Sequence, residues 1–193
     1  MHAFRGTGIL LLFCILPVAA QNPDRFASPA AGFSLHKPTG WTFVGSRTRA
    51  DVTKEELQKA FEQQQTVTLV AMTNPEALLS DFQVTLIPRG QRLAAASPKQ
   101  ILELLVLPSV QERHPELKLE SPVRELKLSG HAAAEYVATD TVRTKELAMP
   151  VRVRAILVAR GSFFYLIDVM AAAGDEQSSR DFEKILSSIT IDR

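Results

Sequence analysis

The stretch VRVRAILVARGSFFYLIDVMA, from Val151 to Ala171, decides the fold of this chain. Two apolar runs flank Gly161–Ser162, and a two-residue turn with glycine first is typical of a β-hairpin. Residues 155–158 read AILV, so the middle of the first strand is apolar on both faces. Such a strand is covered on both sides, as in a sheet that has helices on each face. We therefore predict an antiparallel pair at the centre of a two-sided sheet.

Capping signals predict three helices, two before this hairpin and one after it. Thr53 and Glu56 form the capping box of the first helix. Ser97–Pro98 begin the second, because they combine an N-cap with a proline at the first helical position. The third begins at Ser178 or Ser179 and has one apolar face. The residues of that face are Phe182, Ile185, Leu186 and Ile189.

Apolar alternation and turn residues predict the remaining strands. They lie at Phe33–His36, Trp41–Val44, Thr66–Met72, Phe82–Ile87, Leu117–Leu126 and Ala132–Val142. We expect the first two of these strands to pair as a hairpin. Hairpin connections dominate this order, so the predicted class is α+β with a mostly antiparallel sheet. With helices on both faces of the sheet, the architecture is an α/β/α sandwich.

Residues 1–20 have the pattern of a cleavable secretory signal. Arg5 precedes the apolar run Ile9–Leu16, and the small residues that end at Ala20 suit signal peptidase. The run is shorter than the ~20 apolar residues that span a membrane. Cys14 lies inside this run and not after it, so lipid attachment is not expected. Cleavage after Ala20 leaves a mature chain without cysteine, which excludes disulfides and thiol chemistry.

The mature chain suits one domain with no strong charge. Removing 20 of 193 residues leaves 173, within the usual length of a domain. We expect a flexible leader over residues 21–31 and a single domain over residues 32–193. The whole chain has 22 basic and 21 acidic residues, and the loss of Arg5 balances them. Nucleic acid binding needs a concentrated positive field, so nucleic acid is not an expected partner.

Four segments resemble PsbP-like domains. They are the strand, proline, glycine and tryptophan of Gly32–Trp41, the glycine–alanine strand start at Ser129–Ala133, the late hairpin at Gly161–Ile167, and the closing helix at Phe182–Ile191. This resemblance implies an α/β/α sandwich over nearly all of residues 32–192. It also implies a binding or assembly role more than an enzymatic one, since the family includes photosystem extrinsic subunits, a Ran-binding factor and exported bacterial proteins. The shared positions are packing and turn positions, so no functional residue follows from them.

The sequence contains no recognisable catalytic motif or cofactor fingerprint. His36, His114 and His131 have no metal-ligand spacing, and neither a GxSxG nor a phosphate-binding glycine loop occurs. We therefore predict no cofactor, no metal site and no catalytic residue.

Asp168 is the one acidic residue in an otherwise apolar strand. The hairpin register places it opposite Ala155, with apolar neighbours on the same face. These neighbours are Val153, Leu157, Leu166 and Met170. An unpaired carboxyl in such surroundings has a raised pKa, as general acids do. Alternatively, Asp168 lies near the strand end and reaches solvent or a helix N-terminus.

Basic residues cluster in the loop before the central hairpin and along its first strand. They are Arg143, Lys145, Arg152, Arg154 and Arg160, and strand alternation places the last three on one face. We predict that they form a partner-binding site for an acidic protein surface or for anionic lipid headgroups. The alternative is that they are the solvated ends of a long hairpin.

The second helix has two interpretations. Its apolar residues in Ile101–Leu107 surround most of the helix, which is expected to end near Pro108. They belong to the core, or Leu102, Val106 and Leu107 face a partner protein.

These observations favour an exported, non-enzymatic binding or assembly domain, secreted or periplasmic, that recognises a protein of the cell envelope. A membrane surface is a weaker alternative partner, and the oligomeric state stays open. The second hypothesis is a carrier of a small apolar ligand in a pocket between sheet and helix. We expect that pocket to be lined by Trp41, Phe43, Phe82 and Tyr165. An enzyme that uses Asp168 and a histidine ranks third.

Overall fold

The central hairpin forms as the sequence predicts. The computed structural model describes residues 23–144 and 147–192, so the predicted signal peptide and Lys145 lie outside the described residues. Strands β9 (Ala148–Arg160) and β10 (Phe163–Ala172) pair antiparallel, and Asp168 faces Ala155. Gly161 begins the turn with a φ of +49°, in the left-handed region that glycine adopts without a steric cost.

The hairpin lies at the middle of an eight-stranded antiparallel sheet. The other strands are β3 (Thr42–Phe43), β4 (Val67–Thr73), β5 (Ser80–Pro88), β6 (Lys118–Leu119), β7 (Arg124–Leu128) and β8 (His131–Arg143). The strand order is β3-β4-β5-β10-β9-β8-β6, and β7 also pairs with β8. The four central residues of β9, 155–158, are fully buried, because both faces of the sheet are covered. The predicted α/β/α sandwich of α+β class is confirmed.

Two helices cover one face of the sheet. Helix α1 (Lys54–Glu62) begins with the predicted capping box, in which the Thr53 side chain accepts from the Glu56 amide. Helix α5 (Glu176–Ser188) begins two residues before the predicted Ser178, because the Asp175 side chain accepts from the Ser178 amide as the N-cap. The four apolar residues predicted for this helix are all buried in the core on this face, although Ile189 lies just after the end of α5. Those residues are Phe182, Ile185, Leu186 and Ile189.

One interrupted helix covers the opposite face. After the short helix α2 (Gly90–Leu93), helix α3 (Pro98–Ile101) leads through a π-helical turn over residues 102–106 into α4 (Leu107–Arg113). The predicted end near Pro108 is therefore wrong. The Leu107 amide donates to the carbonyl five residues earlier, and this wider turn accommodates a proline that cannot donate.

The π-helical turn determines which leucines face the sheet. Leu102 and Leu107, five residues apart, are buried against the strands, and Val106 is half-buried against the same core. The interpretation that these three residues face a partner is therefore wrong. Leu104 and Leu105 point outward instead and are 71% and 49% exposed. The core interpretation of this helix is correct for its inward residues, and the exposed apolar pair was not expected.

The N-terminal region forms a second, three-stranded sheet. Strand β1 (Arg25–Ser28) pairs with β2 (Phe33–His36), and β2 pairs with β11 (Thr190–Ile191) next to the C-terminus. The expected flexible leader is therefore wrong for residues 25–31, where Ala31 is fully buried. The predicted hairpin between the first two strands is also wrong, because β3 pairs with β4 in the large sheet.

Two local features explain why these strands differ from the predicted ones. Trp41, just before β3, packs edge-on against Phe182 at 5.5 Å, and its indole nitrogen donates to Asp181. This anchor carries the chain from the small sheet to the large one. The predicted strand Leu117–Leu126 is divided into β6 and β7 around Pro122, which has no amide hydrogen to donate to a ladder.

Candidate functional site

A cavity of about 320 Å³ lies on the face of the large sheet that α3 and α4 cover. It exists because α4 ends at Arg113 while the strands beneath continue, so part of this face has no helix above it. The volume is at the lower end of the roughly 300–1,000 Å³ that small-molecule sites occupy. We name it the Asp168 cavity. Its polar lining side chains are Arg47, Asp81, Gln83, His114, Tyr136, Asp140 and Asp168.

Sheet register brings three of these side chains into one row. Tyr136 on β8 lies opposite Ala155 on β9, Ala155 lies opposite Asp168 on β10, and Asp168 lies opposite Gln83 on β5. Neighbouring strands are about 4.8 Å apart, so the Tyr136 and Asp168 backbones are separated by about 10 Å. The small Ala155 side chain between them leaves room above the sheet. A tyrosine hydroxyl and a carboxyl therefore border the same space from two sides.

The Asp168 carboxyl is enclosed without a partner. The residue keeps some exposed surface because it lines the cavity, yet burial raises the pKa of its carboxyl to about 6. Among the residues that the structure describes, none donates a hydrogen bond to this carboxyl or pairs with its charge. The expected raised pKa is confirmed in direction. The alternative of a contact with solvent also holds in part, because the exposed surface of Asp168 opens into the cavity.

The pKa of Tyr136 is also raised by these surroundings. Burial, and then the negative charge of Asp168, raise the pKa of the Tyr136 phenol to about 12. The phenol is thus neutral at physiological pH and keeps its proton as a hydrogen-bond donor, while its oxygen can also accept.

His114 and Asp140 form the third polar group of the cavity. The Nδ1 atom of His114 lies 2.9 Å from Oδ2 of Asp140, whose side chain is almost fully buried. The His114 amide donates to the Val110 carbonyl, so this residue ends α4 at the edge of the cavity. His114 has no metal-ligand spacing in the sequence, and its side chain is 53% exposed. Its ion-pair geometry with Asp140 was not expected.

Apolar side chains complete the walls. They are Phe82, Val110, Leu117, Val142, Val153, Val169 and Met170. No serine, threonine or cysteine is among the lining residues, and no group of three metal-ligating side chains occurs in the part of the chain that the structure describes. The site can therefore accept hydrogen bonds and positive charge beside an apolar surface.

Two wider depressions among the described residues lack an enclosed polar group of this kind. They have volumes of about 540 and 510 Å³ and lie elsewhere on the surface. Their polar lining residues, such as Gln58 in the first and Glu120 in the second, are exposed. The predicted pocket around Trp41 and Tyr165 does not form, because both side chains are packed in the core next to α5 and β2. Of that predicted set, Phe82 alone lines the Asp168 cavity.

The structure does not gather the predicted basic residues into one unpaired surface, because Arg143 and Arg160 lie at opposite ends of the β8–β9 pair and carboxylates accompany Arg143 and Arg152. Arg143 pairs with Glu116 at 2.8 Å, and Arg152 pairs with Glu120 at 2.8 Å. Hydrogen bonds from Arg152 lower the pKa of the Glu120 carboxyl. These exposed pairs reduce the local positive field and contribute little to stability.

The other two described arginines of this set have structural contacts. Arg154 and Arg124 both bind Glu135, whose side chain is 1% exposed. Arg154 also reaches Glu183 on α5 at 2.6 Å. Arg160 donates to the Ala31 carbonyl at 2.6 Å and to the Asp192 carbonyl at 3.0 Å.

Arg160 therefore joins both ends of the described chain to the central hairpin. Gly32 has a φ of +62°, in the left-handed region that favours glycine, and a Cβ atom there would lie 2.5 Å from the Arg160 guanidinium.

Comparison with solved structures identifies the architecture. The solution structure of cyanobacterial PsbP (CyanoP) from Synechocystis matches with a TM-score of 0.61 and 12% identity, over 94% of this chain and 99% of that one. The chain has the PsbP-like fold. At this identity the likeness shows the fold alone.

Two further structures share the PsbP-like fold at lower similarity. The Ran-binding protein Mog1p of Saccharomyces cerevisiae has a TM-score of 0.52 at 10% identity, over 89% of this chain and 96% of that one. LpqN of Mycobacterium tuberculosis, which is involved in cell envelope biogenesis, has a TM-score of 0.51 at 10% identity and covers 83% of each chain. A further match, from Bacteroides thetaiotaomicron, is about twice as long, since this chain spans 48% of it. No sequence family and no curated protein matches the chain.

Proposed function

We propose that this protein is an exported, non-enzymatic binding domain whose recognition site is the Asp168 cavity. One observation carries the proposal: an unpaired, enclosed acid lies in an open cavity that has apolar walls. Burying an unpaired carboxyl lowers stability, and proteins keep such groups where function requires them. An apolar cavity with a few convergent polar groups is the usual form of a binding site.

The PsbP-like fold supports binding more than catalysis. Mog1p, a Ran-binding protein, and LpqN, involved in envelope biogenesis, have this fold. We propose for this chain the recognition of a protein or another component of the cell envelope. Within residues 23–144 and 147–192 no helix has the length and apolarity that a membrane span requires.

Export is proposed from the N-terminal sequence. Expression in a bacterium with an intact secretion system should yield a periplasmic protein that begins at Gln21. Mass spectrometry of the mature N-terminus tests this, and an intact Met1 in the cytoplasmic fraction would contradict it.

The basic residues remain a second proposed contact, for an anionic partner. Binding there requires the partner to displace Glu116 and Glu120 from Arg143 and Arg152. Cosedimentation with anionic vesicles should then weaken with added salt. Binding that is absent, or insensitive to salt, would remove this contact.

A catalytic role is the second candidate function, and one observation favours it. Asp168 and His114, the two residue types expected of an enzyme here, line the same cavity. A carboxyl with a pKa of about 6 is suited to general acid catalysis. Hydrolysis of a model ester or glycoside that is lost in Asp168→Asn would support this role over simple binding.

A fragment screen by methyl NMR tests the proposed site directly. Neutral, cationic and anionic fragments are added separately to protein labelled at valine and methionine methyls. The proposal expects at least one fragment class to shift Val110, Val153 and Met170 together. Fragments that shift only methyls outside the cavity, such as those of Leu104 and Leu105 in a leucine-labelled sample, would contradict it.

A further inference from the structure

We propose that the Asp168 cavity binds an alkylammonium group, which a small organic cation or a lysine side chain of a partner can supply. This inference rests on the proposed function, because it names the ligand chemistry of the same site. Three features of the cavity support it: its unpaired acid, its excess of acceptors, and its apolar walls.

The first feature is the missing counter-charge. No guanidinium or ammonium of the described residues pairs with Asp168, whereas each of the other buried carboxylates in the described part of the chain has a side chain that pairs with it. Glu135 binds Arg124 and Arg154, Asp181 binds Lys184, and Asp140 faces His114. A buried ionised acid is stable only when paired or hydrogen-bonded. A ligand cation would supply the partner that the chain itself does not.

The second feature is the balance of charge and hydrogen-bonding groups around the cavity. Three carboxylates line it, Asp81, Asp140 and Asp168, against the single guanidinium of Arg47. Arg47 is already engaged, because it donates to the Gln83 amide oxygen at 3.2 Å. An ammonium has three donors and no acceptor, which matches a carboxylate and a tyrosine oxygen that border one space.

The third feature distinguishes an organic cation from a metal ion. Hard metal ions take six or more oxygen ligands, and the described residues contain no group of three metal-ligating side chains. The walls instead offer aliphatic surface from Val110, Leu117, Val153 and Met170. Alkyl carbons attached to the ammonium would bury against these side chains, and their burial excludes water and strengthens the ion pair.

Three isosteric probes test the inference by calorimetry: cyclohexylammonium, cyclohexanol and cyclohexanecarboxylate. We expect cyclohexylammonium to bind at pH 7 at least about tenfold more tightly than the other two. Asp168→Asn should weaken cyclohexylammonium binding by at least about tenfold, because it removes one charge of a desolvated pair. Asp51→Asn, an exposed acid outside the cavity, is the matched control and should bind as the wild type does.

Acidification provides a readout that a structural role of Asp168 would not change. With a pKa of about 6, the ionised fraction of Asp168 falls about tenfold between pH 7 and pH 5, and affinity for cyclohexylammonium should fall with it. Other charged or titratable groups also face this space. They are Arg47, Asp81, Arg113, His114, Tyr136 and Asp140. A His114→Gln variant should therefore keep the pH dependence, whereas Asp168→Asn should lose it.

The peptide Ac-Ala-Lys-Ala-amide distinguishes the two sources of the alkylammonium group, a small organic cation and a lysine side chain of a partner. Binding at least as tight as that of cyclohexylammonium indicates a lysine of a protein partner, and binding of cyclohexylammonium alone indicates a small organic cation. The inference is overturned if cyclohexanol or the carboxylate binds as tightly as the ammonium, or if Asp168→Asn binds unchanged. In those cases the proposed function survives, because the cavity still binds a ligand. If none of the three probes and no fragment reaches the cavity, both are wrong.

Discussion

Replacing Asp168 with asparagine is expected to stabilise the protein at neutral pH. Asparagine has nearly the same shape but no charge, so the cavity and the strand register stay as they are. In the wild type, burial raises the pKa of this carboxyl from its ordinary 3.8 to about 6. The folded state therefore holds the proton more tightly than the unfolded chain between about pH 4 and pH 6. Stability consequently falls as the pH rises through this window.

The size of the effect follows from the pKa difference. At about 1.36 kcal/mol per pKa unit, the full cost of ionising Asp168 in the fold is about 2–3 kcal/mol above pH 7. Near pH 4 the folded carboxyl is protonated and the cost falls below about 1 kcal/mol. Asp168→Asn should recover most of this free energy at pH 7 and little of it at pH 4. For a domain of this length, the gain corresponds to a melting temperature about 5–10 °C higher.

Urea unfolding at pH 4, 5, 6 and 7 measures the difference between variant and wild type. The gap in unfolding free energy should widen steadily as the pH rises. Asp51→Asn, at an exposed position, is the matched control and should stay within about 0.5 kcal/mol at every pH. A variant that is less stable than the wild type at pH 7, or a gap independent of pH, would refute the assignment of Asp168 as an enclosed, unpaired acid.

Three further predictions concern side-chain packing, the chain-end contacts of Arg160 and tyrosine ionisation. Leu102→Glu should lower the free energy of unfolding in urea by about 3 kcal/mol or more, because Leu102 is fully buried. Leu104 is 71% exposed, so Leu104→Glu should change the free energy of unfolding by less than about 0.5 kcal/mol. Equal effects of the two substitutions would contradict the finding that Leu102 faces the sheet and Leu104 faces outward. Arg160→Ala should cost about 2 kcal/mol in unfolding free energy, because its bonds to two backbone carbonyls join the chain ends, and a neutral result would reject this structural role. Tyrosinate absorbance should stay flat through pH 10, because burial raises the pKa of both Tyr136 and Tyr165 to about 12, and a titration near pH 10 in the folded protein would oppose this.

Much of the central sheet could be predicted because local rules determine it. A two-residue turn at Gly161–Ser162 leaves only one register, so the pairing of Asp168 with Ala155 follows from counting. Apolar residues on both faces of β9 require cover on both sides, which is why the layered architecture was predictable. Capping chemistry likewise placed the start of α1 at Thr53.

The pairing of the N-terminal strands could not be predicted in this way. A turn at residues 37–40 signals that the chain reverses, but not that the two flanking strands pair with each other. Trp41 is drawn toward Phe182 on α5, which lies 141 residues further along the chain, and this long-range packing separates β2 from β3. Pro108 likewise signals a helix end, yet the π-helical turn before it lets the helix continue.

The cavity depends on contacts that no single segment contains. It needs Tyr136, Asp168 and Gln83 from three strands, and it needs α4 to end before the sheet does. One local signal was available, the lone acid in an apolar strand. The sequence could identify that residue but not the space beside it. His114 gave no signal, because its partner Asp140 is distant in sequence.

The ionisation of Asp168 itself is the most direct test of the binding site. Protein labelled with ¹³C at aspartate carboxyls can be titrated by NMR, first alone and then with saturating cyclohexylammonium. The enclosed acid should titrate near pH 6 in the free protein, and the cation should lower that pKa by at least about one unit, since it binds the ionised form. A free pKa close to 3.8, or one that cyclohexylammonium does not move, would contradict the account.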